Sequence, residues 1–165
     1  MFQIRELKQP ETDLIKEMLF LAVFIPPGHP SVSRDILDLP QLKNYYDNWG
    51  CSDHDKAIAL TEDDRIIGLV WGRLLNGEVK GFGFLDEQTP EISIAIQPAY
   101  RNQGWGARLL SEISKAYMAL GIRTLSLSVD KRNPAVGLYR RQGFIMVREN
   151  QGDFIMSKSL RGNSL

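Results

Sequence analysis

The feature that most constrains this chain is a strand that stops, turns and restarts as a helix through two closely spaced glycines. Glu91-Ile92-Ser93-Ile94-Ala95-Ile96 is followed by Arg101-Asn102-Gln103-Gly104-Trp105-Gly106. The first stretch is β-rich and buries its large side chains alternately. Pro98 ends it, because proline removes a ladder donor. Beyond the glycines, Leu109, Leu110, Ile113, Ala116, Tyr117 and Leu120 lie on one helical stripe, and Gly121 suits the C-cap. Glycine lets main chain approach a ligand closely, and the first turn of a helix carries unpaired N–H groups at the positive end of its dipole. Such a turn is a socket for a phosphate or diphosphate. The other reading is a tight strand-to-helix turn that binds nothing. A dinucleotide fingerprint does not fit, since its third glycine falls on Leu109, and no G-K-[ST] phosphate loop occurs.

A second motif lies downstream of another alternating strand, Thr124 to Val129. It runs Asn133-Pro134-Ala135-Val136-Gly137-Leu138-Tyr139-Arg140-Arg141-Gln142-Gly143-Phe144. Asn133 suits a helix N-cap, Pro134 the first helical position and Gly143 the end. Gly137 is anomalous, because a glycine inside a helix costs about 1 kcal/mol relative to alanine.

Taken together, these segments resemble the GNAT superfamily of acyl-CoA-dependent N-acetyltransferases. Arg101, Gly104 and Gly106 match that family's Q/R-x-x-G-x-G/A diphosphate loop. Asn133, Tyr139, Gly143 and Phe144 match its second signature, an Asn, a Tyr six residues on and a closing Gly-Phe. The match is close over Glu91 to Phe144, looser from Lys56 to Leu160, and one of layout only before that.

The resemblance implies an α/β (α+β) fold with a mixed, mostly antiparallel, splayed central sheet flanked by about four helices. It implies acetyl-CoA as acyl donor, with its pantetheine arm along Ile94, Ala95 and Ile96. The diphosphate would lie on the amides of Asn102, Gln103, Gly104, Trp105, Gly106 and Ala107, with Arg101 and Asn133 also at the cofactor. Tyr139 becomes the general acid toward the departing thiolate; read from the sequence alone it is equally a tyrosine packed on the sheet. Glu91 becomes the base acting through water, or else a solvated carboxylate at a strand end. The reaction implied is direct attack by a primary amine of a small molecule or peptide in a ternary complex. The alternative is a non-catalytic acyl-CoA-binding sensor or assembly module. The family admits a homodimer.

Composition bounds the rest. The 165 residues suit a single domain over 1–165. One cysteine, Cys51, leaves no internal disulfide and no cysteine-based metal cluster, and no metal is expected. Met1 to Pro10 is charged and the longest apolar run, Met18 to Pro27, is too short for a bilayer, so a cytoplasmic protein without a membrane partner is expected. Residues 1–96 hold 9 basic and 16 acidic side chains, whereas residues 97–148 hold 9 basic and 2 acidic. The basic block surrounds the socket, with Arg101, Arg108, Lys131, Arg132, Arg140 and Arg141 as candidates to meet phosphates. A nucleic-acid surface is not expected, because the domain as a whole is not basic and carries no such motif.

Two histidines, His29 and His54, fall in loops. Phe2 to Leu7 reads as a strand, a helix capped by Glu11 or Thr12 runs to about Phe24, and an irregular helical piece spans Asp35 to Trp49 around Pro40. Lys56 to Thr61 and Arg65 to Leu75 read as strands. After the turn dipeptide Asn76-Gly77, Val79 to Leu85 reads as a returning strand weakened by glycines. Ile145 to Arg148 and Phe154 to Lys158 read as a final hairpin, and Arg161 to Leu165 as a frayed tail. In the family, the acceptor side is shaped by segments that correspond here to Phe24 to Val32, Tyr45, Tyr46, Trp49 and Trp71, with core packing favoured for Trp71. The acidic N-terminal half favours a cationic amine.

Overall fold

The computed structural model of the chain describes residues 1–160; the tail expected over 161–165 lies outside them. Seven strands form one sheet: β1 (Phe2–Glu6), β2 (Lys56–Glu62), β3 (Arg65–Arg73), β4 (Glu91–Ile96), β5 (Thr124–Asp130), β6 (Ile145–Glu149) and β7 (Asp153–Ser159). Their order is β1-β2-β3-β4-β5-β7-β6. The helices are α1 (Leu14–Ala22), α2 (Pro40–Lys43), α3 (Trp105–Ala119) and α4 (Ala135–Arg141), with 3-10 turns at Gln9–Glu11, Arg34–Asp38 and Pro98–Tyr100.

Strand alternation gives the sheet two apolar faces. Ile58, Leu60, Ile67, Val70, Ile92, Leu125 and Leu127 meet Leu109, Leu110, Ile113 and Tyr117 of α3 and Val136 and Tyr139 of α4. Ala59, Leu69, Trp71 and Ala95 face the other way, onto Ile15, Met18 and Leu19 of α1 and onto Leu37 and Tyr45. Each fully buried large aliphatic side chain contributes about 1.5–3 kcal/mol, so α3 is held mainly by its stripe. Trp71 is core, as its place in a strand suggests. A bulge in β3 keeps this pattern, since Leu60 pairs with Gly68 while Thr61 pairs with Ile66.

The sheet is antiparallel throughout except between β4 and β5, which run parallel. That pair shares one paired position, Glu91 with Ser126, whereas β3 and β4 share six. The two central strands therefore meet at the Glu91 end and part toward Ile96 and Asp130. This is the splay that the resemblance implies.

Two local expectations need correction. Val79 to Leu85 is not a strand: β3 pairs with β4, and residues 74–90 form a long loop between them. Its glycines serve close approach instead of a ladder, as described below. The first helix starts at Leu14 and stops at Ala22. Glu11 braces the turn before it, accepting from the Lys8 amide at 2.7 Å and from Arg5 at 2.8 and 2.9 Å. The irregular piece around Pro40 does break in two, at Leu39.

Candidate active site

The glycine turn is shaped by positive φ at Asn102 (60°) and Gly104 (85°), which swing the chain from β4 into α3. Arg101 Nε donates to the Ile96 carbonyl at 2.8 Å and ties the turn to the strand end. Around it, the Arg101 amide bonds Pro98 and the Arg108 amide bonds Gly104. Between these, the amides of residues 102–107 have no protein acceptor among the described residues. That is a longer run of free donors than the first turn of a helix alone supplies. Gly106 also packs closely: a Cβ there would lie 2.8 Å from Leu138 Cδ2, so the Leu138 side chain of α4 would have to shift. Trp105 offers only its amide, since its ring lies 4.9 Å from that of Phe2, under Arg108.

The β4 edge continues this surface. The Gln97 amide bonds Ile67 on β3, and Pro90 accepts from Ser126 on β5. Main-chain groups alternate sides along a strand, so Ile92, Ile94 and Ile96 point theirs toward β5 while Ala95 points toward β3. Past the Glu91–Ser126 position β5 has left, and the Ile94 edge is open.

Across the gap, the cap position of α4 falls on Pro134 and not on Asn133 as expected, because Pro134 is already helical; Asn133 Oδ1 accepts from the Ala135 amide at 2.9 Å and braces the entry to the helix. This places Tyr139 in the apolar layer, 8% exposed, with Phe144 edge-on at 5.9 Å. Burial pushes the phenol up to about 12. Gly137 serves no strand contact, because a Cβ there would meet only the Arg141 guanidinium, at 3.2 Å.

Glu91 lies on the opposite face, next in sequence to the inward Ile92. It is 3% exposed, which rules out a solvated strand-end carboxylate. Its Oε1 accepts from the Gly83 amide, and the preceding amide of the same loop, that of Phe82, donates to the Tyr45 hydroxyl at 2.9 Å, which sets that phenol beside the carboxylate. Burial raises the Glu91 pKa to about 7, against the lowering effect of the Tyr45 hydroxyl and the Gly83 amide. Gly81 and Gly83 belong to the loop that replaces the expected strand. A Cβ on Gly83 would fall 2.5 Å from Glu91 Oε1 and 2.7 Å from the Leu127 carbonyl carbon; one on Gly81 would fall 2.9 Å from Glu91 Oε1. The loop thus rests on β5 just past its only pairing with β4. Ser126, opposite Glu91, is fully buried and its Oγ has no hydrogen-bond partner among the described residues.

The basic block is less free than its sequence suggests. Arg132 chelates Asp130 at 2.9 and 3.0 Å, Lys131 pairs with Glu149, and Arg140 lies over the Phe154 ring. His29 is exposed, and His54 lends its carbonyl to Tyr117 Oη at 2.7 Å. Among the aromatics assigned to the acceptor side, Tyr46 bonds the Leu37 carbonyl and Trp49 lies under Arg73. Sequence reasoning missed the Gly81-Phe82-Gly83 clasp. Its signal was present, since paired glycines in a would-be strand mark close approach of backbone.

The chain matches the model of the GNAT acetyltransferase family over residues 24–144. Solved structures agree in fold. An acetyltransferase of the GNAT family from Streptococcus pneumoniae superposes with a TM-score of 0.66 at 21% identity, covering 96% of this chain and 99% of that one. The ribosomal-protein-S18-alanine N-acetyltransferase of Escherichia coli gives 0.65 at 19% identity, covering 100% and 99%. The PaiA N-acetyltransferase of Thermoplasma acidophilum, in complex with coenzyme A, gives 0.68 at 17% identity, covering 96% and 99%. No curated protein matches. With a family model covering well over half its length, the chain belongs to the GNAT family of acetyltransferases.

Proposed function

We propose that the protein transfers the acetyl group of acetyl-CoA to a primary amine of a small molecule or peptide, by direct attack within a ternary complex. The observation that carries this reading is the single pairing between β4 and β5. It opens the sheet between Glu91 on one face and Tyr139 on the other. A thioester threaded through that gap meets an acid on the cofactor side and a base on the acceptor side. The donor fits the residues present. Amides 102–107 would hold the diphosphate and the open Ile94 edge the pantetheine arm, while acetyl-CoA supplies the activated acyl group.

The remaining steps fall to side chains. Glu91, with a pKa of about 7, accepts the proton of the attacking amine near neutral pH; being buried, it does so through a relay. As the new C–N bond forms and the C–S bond breaks, Tyr139 gives its proton to the sulfur and recovers one from solvent. Its raised pKa keeps it protonated beforehand. Asn133 positions α4, and so Tyr139, through its bond to the Ala135 amide. The free Cys51 suits a reducing cytoplasm. The edge strand β6, with Ile145, Met146 and Val147 exposed, supports a homodimer. A purely monomeric sedimentation profile at high concentration would count against that assembly.

The experiment is thiol release from acetyl-CoA over a panel of amines, amino acids and peptides. Release that requires both acetyl-CoA and one class of amine is expected. Thermal stabilisation by acetyl-CoA without release on any amine would replace the enzyme with a binding module.

A further inference from the structure

The Glu91 carboxylate is held by a chain of contacts that begins two strands away from the gap. Arg73, at the end of β3, donates through Nη1 to the carbonyls of Asn44 (3.0 Å) and Asp47 (2.7 Å), on either side of Tyr45. Its Nε and Nη2 reach Asp55 at 3.1 and 2.9 Å, and both partners of that pair are almost wholly buried. The turn carrying Tyr45 is thus clamped onto the sheet. Tyr45 is buried to 6% exposure, and its ring stacks on Phe82 at 6.3 Å. Its hydroxyl accepts from the Phe82 amide at 2.9 Å while the next amide, that of Gly83, donates to Glu91 Oε1, so one loop holds the phenol and the carboxylate side by side and leaves the Tyr45 O–H proton uncommitted.

We propose that Tyr45 is a positioning residue for Glu91, its hydroxyl braced by the Phe82 amide and donating to the carboxylate so that the carboxylate keeps one orientation. This deepens the reading of Glu91 as the base and rests on it. The other charged and titratable groups around Glu91 do not compete. Arg73, its cross-strand neighbour, is engaged by Asp55 and the two carbonyls. Lys80 of the covering loop bonds the Asn76 carbonyl and lies over Phe84, Asp86 accepts from Gln88 and Thr89, and Arg148 bonds the Phe84 carbonyl. β5 presents the uncharged Ser126. The Gly83 amide is main chain, whereas Tyr45 acts through a side chain, so the Tyr45 contact is the one that substitution can remove without disturbing the main chain.

Tyr45→Phe keeps the ring and deletes only that donor. With 13C-labelled glutamate carboxyls and the Glu91 signal assigned by its loss in Glu91→Gln, the Glu91 midpoint is expected to rise by about one pH unit in Tyr45→Phe. The acidic limb of the kcat–pH profile should move with it, while KM for acetyl-CoA stays within about twofold, the donor site being untouched. Should that variant fold poorly, wild-type protein labelled at the tyrosine phenol carbon gives the same answer, since Tyr45 must report the Glu91 midpoint. A Glu91 midpoint unmoved by Tyr45→Phe, or a Tyr45 signal blind to Glu91 titration, overturns the proposal. A shifted midpoint together with wild-type turnover in Glu91→Gln leaves the Tyr45 contact standing and removes Glu91 from the base role.

Discussion

From the turn after β4 into the first turn of α3, six consecutive amides find no acceptor among the described residues, while at the other end of β4 the Glu91 carboxylate is covered by a loop whose Gly83 amide donates to it. The half proposed to hold the donor is main chain, set by glycine and by two positive φ angles. The half proposed to face the acceptor is side chain, set by long-range packing. Main-chain recognition tolerates many neighbouring side chains but few changes of backbone. Side-chain recognition tolerates backbone drift poorly and depends on residues far apart in sequence. The two halves should therefore respond to mutation in different observables.

The largest effect is expected at Tyr139. Replacing it by Phe removes the hydroxyl proposed as the acid but little packing, so kcat should fall about 10²–10⁴-fold with acetyl-CoA affinity preserved. Steady-state kinetics with a separate calorimetric Kd checks this, and an unchanged kcat ends the assignment. Glu91→Gln should cost about 10²-fold in kcat and abolish the limb near pH 7. It should also stabilise the fold at alkaline pH, and the sign follows from linkage. Glu91 has its folded pKa raised from 4.5 to about 7, so the folded state holds the proton more tightly and stability falls as pH rises through that window. The penalty is complete above pH 7 and amounts to no more than about 3 kcal/mol. Thermal melts of both proteins at pH 5 and pH 8 should show a gain for the variant only at pH 8.

Gly83→Ala sharpens the contrast from the acceptor side. Its Cβ meets Glu91 and the β5 backbone below 3.0 Å, so about 1–3 kcal/mol of overpacking is expected, with donor binding retained. Gly104→Ala does the reverse. Its Cβ meets nothing within 4 Å, but φ is 85°, so about 1 kcal/mol of backbone strain and weaker acetyl-CoA binding are expected. Equal losses of donor binding in both variants would erase the distinction between the halves.

That distinction also explains what could be read before any coordinates. The strand-to-helix turn was legible because its physics is local: a strand, Pro98, two glycines and an apolar stripe lie within thirty residues. The helix that carries Tyr139 was legible for the same reason. The clasp on Glu91 was not, since it joins Tyr45, Gly83 and Glu91 through tertiary contacts between loops that carry no periodic pattern. The same paired glycines that weakened the expected strand at Val79 to Leu85 are what let the loop lie on the carboxylate. The basic block was half legible: its charges are real, but Arg132 and Lys131 are already neutralised by neighbours that only folding supplies.

The most direct measurement is a backbone amide titration by NMR with acetyl-CoA. The account predicts that the strongest, earliest shifts fall on the amides of residues 102–107 and on Ile94 and Ile96, and that Ala95, whose amide points toward β3, responds less. Binding that leaves those amides unmoved, or shifts centred elsewhere on the sheet, would contradict it.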